Sequence, residues 1–148
     1  MSPLAAPLLG LALAAAPAKP VTELAAAIDG ARRSDGKKEC TFTVEGAQCA
    51  LPVRVSCATP LMKYSYVMTL PLGKLDAKKS SYQPNAGGFP GAHGVELTAV
   101  GALIETVTDD GQKTGGEVVV LAFGTTDDDE QRARKLVATL AAAKKACK

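Results

Sequence analysis

Residues 40–57 read CTFTVEGAQCALPVRVSC, and their period decides the fold. Cys40, Phe42 and Val44 alternate with Thr41, Thr43 and Glu45. Beyond Glu45-Gly46-Ala47-Gln48, Cys49, Leu51, Val53, Val55 and Cys57 alternate with Ala50, Pro52, Arg54 and Ser56. A period of two is that of a strand with one covered face. The stretch therefore predicts an antiparallel hairpin. Centring the turn on Gly46-Ala47 sets Cys40 near Val53 and points Cys40, Cys49 and Cys57 at the core. Pro52 lacks an N–H, which suggests an edge strand or a bulge.

Downstream the pattern continues. Thr59-Pro60 turns the chain, and Met62, Tyr64, Tyr66, Met68 and Leu70 form a third alternating strand that ends at Pro71-Leu72-Gly73. Lys78 to Gln83 is a candidate fourth strand. Asn85 to Gly94 (NAGGFPGAHG) is a loop rich in Gly and Pro. Gly94–Val100 and Leu103–Thr108 read as a hairpin around Gly101-Ala102. The segment from Asp109-Asp110-Gly111 to Gly115-Gly116 reads as a turn, and Glu117–Phe123 as a last apolar strand.

Helical signals flank the strands. Thr22 to Arg33 carries Leu24, Ala27, Ile28 and Ala31 at helical spacing, with Thr22 as N-cap and Ser34-Asp35-Gly36 as the break. At the other end, Thr126 caps a long helix. Asp127, Asp128, Asp129 and Glu130 fill its first turn, and Lys144, Lys145 and Lys148 its last, the charge order that the helix dipole favours. Ala133, Leu136, Val137, Leu140 and Cys147 share its apolar face. Cys147 can thus bridge to a strand cysteine and pin a chain end that would otherwise fray.

The first 18 residues, MSPLAAPLLGLALAAAPA, read as an export signal. Leu4, Leu8, Leu9, Leu11 and Leu13 make its apolar stretch. Ala16-Pro17-Ala18 offers small residues at the cleavage site, with cleavage after Ala18 leaving Lys19 first. Pro3, Pro7 and Pro17 argue against a spanning helix. One α+β domain then covers 19–148, in a secreted or periplasmic protein. Export changes how Cys40, Cys49, Cys57 and Cys147 are read. An even count without C-x-x-C favours two disulfides over zinc, and three pairings are open.

About seven antiparallel strands followed by a capping helix, over roughly residues 40–147, is similar to the pleckstrin-homology-like superfold. That resemblance rests on element order. It implies a partly open barrel or sandwich plugged at one end by the helix. The chain also resembles small exported bacterial proteins of unknown function that end in a capped helix with a terminal Cys. The competing architecture is one open antiparallel sheet with both helices on one face.

Chemistry-bearing patterns are few. Seventeen basic against 15 acidic residues give a net charge of +2, too balanced for binding nucleic acid through phosphates. His93 is the only histidine, so a two-histidine metal site is excluded. No G-x-S-x-G accompanies it. Asp127–Glu130 lacks the alternation and glycine of a calcium loop. Gly87–Gly91 lacks the Lys-Ser/Thr of a phosphate loop. Phe89 and His93, in the glycine-rich loop, are the candidate interaction residues. Lys37, Lys38, Lys63, Lys74, Lys78 and Lys79 are scattered over the surface. Tyr64, Tyr66 and Met68 fit sheet packing or a pocket wall.

These readings converge on an exported, disulfide-stabilised, non-catalytic binding or structural domain that needs no cofactor. Its partner is expected to be a protein or envelope component, with no stable membrane span after signal cleavage. The alternatives are a small enzyme using His93 and a carrier of an apolar ligand between the sheets.

Overall fold

The computed structural model describes residues 17–148; the expected signal sequence lies almost wholly outside them. The fold is α+β: α1 (Lys19–Ile28), β1 (Arg32–Asp35), β2 (Lys38–Val44), β3 (Ala50–Ala58), β4 (Lys63–Pro71), β5 (Ser81–Pro84), β6 (His93–Thr98), β7 (Ile104–Thr108), β8 (Lys113–Gly116), β9 (Val118–Ala122) and α2 (Asp127–Ala146). The nine strands form two antiparallel sheets, ordered β1-β2-β3-β4-β7-β8 and β5-β6-β9. The sheets do not close into a barrel. Nor do they merge into one open sheet; the isolated Leu75–Ala99 bridge lies outside the strands of both.

The alternation read in 40–57 is visible in the burial of β3, where Leu51, Val53, Val55 and Cys57 are buried and the residues between them are not. Phe42 meets Phe123 edge-on, with centroids 5.3 Å apart, a geometry that suits the ring quadrupoles. Leu24 and Ile28 of α1, and Ala133, Leu136, Leu140 and Ala143 of α2, complete one continuous core. α2 lies on the small sheet and beside α1. Arg132 of α2 donates through Nη1 to the carbonyls of Ala27 (3.1 Å) and Asp29 (2.8 Å). It thereby satisfies acceptors that the end of α1 would leave open. The Thr126 cap is present as a capping box: Thr126 Oγ1 accepts from Asp129 N, and Asp129 accepts from Thr126 N.

Several expectations are corrected. α1 starts at Lys19 rather than at Thr22, because Pro20 suits a first turn, where its missing N–H costs nothing. It stops at Ile28 before Gly30, whose φ of +84° suits glycine. Arg32–Asp35 is then an edge strand, and Gly36-Lys37 turns it into β2. The β2–β3 connection runs from Glu45 to Cys49, longer than a tight turn, so Cys40 faces Cys57 and Val53 faces Val44. Cys49 therefore lies outside the strand and is exposed instead of entering the core. Pro52 sits in a central strand. Its carbonyl accepts from Glu45 N, where the β2 ladder ends, so its missing N–H faces no ladder partner there.

The segments on either side of Gly101-Ala102 do not form a hairpin. β6 pairs with β5 and β9, whereas β7 pairs with β4 and β8, so the chain crosses between sheets at Gly101 (φ +74°). Lys113–Gly116, expected as a turn, is the edge strand β8. The candidate fourth strand is Ser81–Pro84. Lys78 and Lys79 instead donate backbone N–H groups to the Asp76 carboxylate in a turn.

Candidate functional site

All four cysteines are paired, Cys40 with Cys57 and Cys49 with Cys147. The first bridge crosses directly opposed residues of β2 and β3, which are 1% and 4% exposed. Arg33 of β1 stands opposite Cys40, and Tyr64 of β4 opposite Cys57. One row across four strands is therefore Arg33, Cys40, Cys57, Tyr64. The second bridge ties the loop before β3 to the residue that ends α2.

Arg33 organises the loop that carries Phe89. Its guanidinium carbon lies 4.3 Å from the Phe89 ring centroid, within cation–π range. Nη1 donates to the Ala122 carbonyl at 2.8 Å and Nη2 to Cys40 Sγ at 3.4 Å. Nε is 3.7 Å from Asp35. That is an ion-pair distance but too long for a hydrogen bond, and Nε is the one buried side-chain polar atom without such a bond among the described residues. The loop also holds itself. Ala86 N donates to Ala92 O, Gly91 N to Asn85 Oδ1, and Ala92 N to Phe89 O. Phe89 is consequently half-buried rather than projecting.

His93 opens β6 with its side chain 19% exposed. Its Nδ1 shares a 2.6 Å hydrogen bond with the Tyr82 hydroxyl, and the two rings stack with centroids 6.0 Å apart. Glu130 of α2 comes within 3.9 Å of the same nitrogen. Arg134 pairs with Glu130 at 2.9 Å and covers the other ring, its guanidinium carbon 4.1 Å from the Tyr82 centroid. The hydrogen bond from Arg134 holds the Glu130 carboxyl below the ordinary range, and the same bond raises Arg134. The histidine thus stands beside a carboxylate and is hydrogen-bonded to a phenol that the sequence keeps 37 and 11 residues away.

A groove of about 250 Å³ runs along the edge strand β1. Arg32, Arg33 and Ser34 form one wall; Gly124, Thr125, Thr126 and Asp129 form the other. A Cβ on Gly124 would collide with the Asp129 carboxylate and press on the Arg32 carbonyl at 3.0 Å. The groove mixes two cations with the acids Asp129 and Glu39. A wider hollow of about 450 Å³ lies against β2, β3 and β4, with Thr41, Ser56, Ser65 and Asp109 among its walls. Ser65 donates to Asp109 through both its N–H (2.7 Å) and its hydroxyl (2.6 Å), which lowers the Asp109 pKa. Burial raises that of Tyr66.

No family model, curated protein or solved structure matches the chain. Among the described residues, no group of three or more His, Cys, Asp or Glu is placed to hold a metal ion, and no helix is long and apolar enough to cross a membrane. From sequence, Glu130 is placed only among the acids of the first turn of α2, and Tyr82, Arg134 and Arg33 have no role at the site. Each sits on a different stretch from the residue it serves, and only the packing of α2 on β5 and β6 and of β1 beside β9 brings them together.

Proposed function

We propose that the chain is an exported, disulfide-stabilised binding or structural domain without catalysis. It meets a protein or envelope component at the end of the molecule where the Phe89–His93 loop, β1 and Gly124–Thr126 converge. The observation that carries this reading is that both bridges form and consume every cysteine, which suits an oxidising compartment. The position of α1 is in keeping with it. Cleavage after Ala18 removes the N-cap residue, whose carbonyl accepts from Val21 N and Thr22 N, and leaves Lys19–Ile28 uncut.

The test is direct. Protein recovered from culture fluid or envelope should begin at Lys19 and weigh four hydrogens less than the fully reduced chain. A retained Met1 or four free thiols would overturn the reading. Capture of a partner by the mature domain should fail for a variant with Phe89→Ala and His93→Ala whose circular dichroism is unchanged. Capture unaffected by both changes removes the loop from the contact.

A second reading, an enzyme using His93, is favoured by one observation: the hydrogen bond to Tyr82 with Glu130 beside it, an arrangement suited to proton transfer. A hydrolytic or transfer activity abolished by His93→Ala and kept by Phe89→Ala would decide for it. The apolar-carrier reading gains no such support, because the grooves described above do not join Tyr, Met and Val side chains.

A further inference from the structure

The two disulfides differ in access. Cys40 and Cys57 lie within the sheet, nearly without exposure. Cys49 is exposed and Cys147 half-exposed. Both line an open hollow of about 550 Å³, whose other walls are Ala50, Pro71, Gly73, Lys74 and Lys148. We propose that the Cys49–Cys147 bridge is a thiol–disulfide exchange site, opened by a dithiol reductant that enters this hollow while Cys40–Cys57 stays closed.

Three features carry the assignment. Exchange proceeds by a thiolate reaching a disulfide sulfur, so access selects which bridge reacts. Two lysines stand beside the approach, and positive charge draws in and stabilises thiolates. Finally, the bridge has something to release. Gly73 packs so closely under the end of α2 that a Cβ there would be 2.8 Å from the Cys147 carbonyl oxygen. Leu72 N donates to the Cys49 carbonyl. Ala143, one turn back, is fully buried. Opening therefore frees Lys144–Lys148 from the 72–74 turn and leaves the rest of α2 seated.

The steps balance. The first thiolate of the dithiol attacks Cys49 Sγ, forming a mixed disulfide and breaking the Cys49–Cys147 bond. Cys147 leaves as a thiolate and takes a proton from water. The second thiol, having given its proton to solvent, attacks the mixed disulfide. The reductant closes into its own disulfide, and Cys49 leaves and is protonated. Two electrons pass from the dithiol to the cystine. The proposal holds whether or not the protein is exported.

The experiment uses the oxidised, folded chain without denaturant. It is treated with dithiothreitol for graded times, blocked with iodoacetamide and mapped by mass. Cys49 and Cys147 should be alkylated at least about tenfold faster than Cys40 and Cys57, as the dependence of exchange on access requires. Equal rates, or reaction of Cys40–Cys57 first, overturn the proposal. Hydrogen exchange on the partly reduced protein should rise only at 72–74 and 144–148; a rise throughout the sheets overturns it too. Lys74→Glu with Lys148→Glu should slow opening of the Cys49 bridge several-fold and leave Cys40–Cys57 unaffected. An unchanged rate removes the hollow as the route of approach.

Discussion

The guanidinium of Arg33 covers the Phe89 ring at 4.3 Å and donates to the carbonyl of Ala122. One side chain on the edge of the large sheet thereby holds a loop and the end of the small sheet. Replacing Arg33 by Ala leaves the Ala122 carbonyl and the Asp35 carboxylate without this partner. Loss of a buried charged donor of this kind costs about 2–3 kcal/mol, read as a lower midpoint in urea unfolding. Arg33→Lys should fall between, since an ammonium cannot supply the planar fork. A wild-type midpoint for Arg33→Ala would show that the contact adds nothing.

Thr126→Ala removes the hydroxyl that caps α2, and the expected loss is about 1 kcal/mol. Thr126→Asp should restore most of it. Arg132→Ala tests the other end of the same junction. It reopens the carbonyls of Ala27 and Asp29, at about 1 kcal/mol for neutral acceptors near the surface. Amide exchange should rise in the last turn of α1 and not in α2.

Gly94 pairs with Ala122, and a Cβ on it would collide with the Leu121 carbonyl oxygen and the Ala86 methyl. Gly94→Ala should cost roughly 3 kcal/mol or more, as an overpacked site with rigid walls does. Gly101→Ala meets nothing within 4 Å, and only its φ of +74° is strained. Its cost should be about 1 kcal/mol. Thermal unfolding of the two variants separates collision from backbone strain.

Asp109 has a folded-state pKa below the ordinary carboxylate range, chiefly through the Ser65 hydroxyl. A depressed carboxyl binds fewer protons folded than unfolded. Its contribution is therefore complete above the unfolded value, about pH 4, and lost as pH falls through the folded one. Ser65→Ala should move the Asp109 titration, followed by NMR, upward toward the ordinary range. No movement would mean that the hydroxyl is not the cause.

The sequence was most readable where local signals agree. The acids, cap and lysines of α2, and the alternation from Cys40 to Leu70, all point one way. Reading failed where a partner is distant. Arg32–Asp35 is polar and follows a helix, so nothing local marks it as the edge of a sheet; only pairing with Lys38–Thr41 makes it one. The chain either side of Gly101 has every mark of a hairpin, yet each arm pairs in a different sheet. Cys49 fits the alternation of β3, but the pull of Cys147 and the length of the Glu45–Cys49 loop take it outward. The environment of His93 was unreadable because Tyr82 and Glu130 reach it only through tertiary packing.

The two bridges overlap along the chain, one spanning 40 to 57 and the other 49 to 147. Between Cys40 and Cys147 every peptide bond therefore lies inside at least one covalent ring. A protease that makes a single cut anywhere in that span, whether at the exposed Leu61-Met62 turn or in the loop after Thr108, sheds no fragment. The nicked chain keeps its mass plus one water, and its pieces separate only when the bridges are reduced.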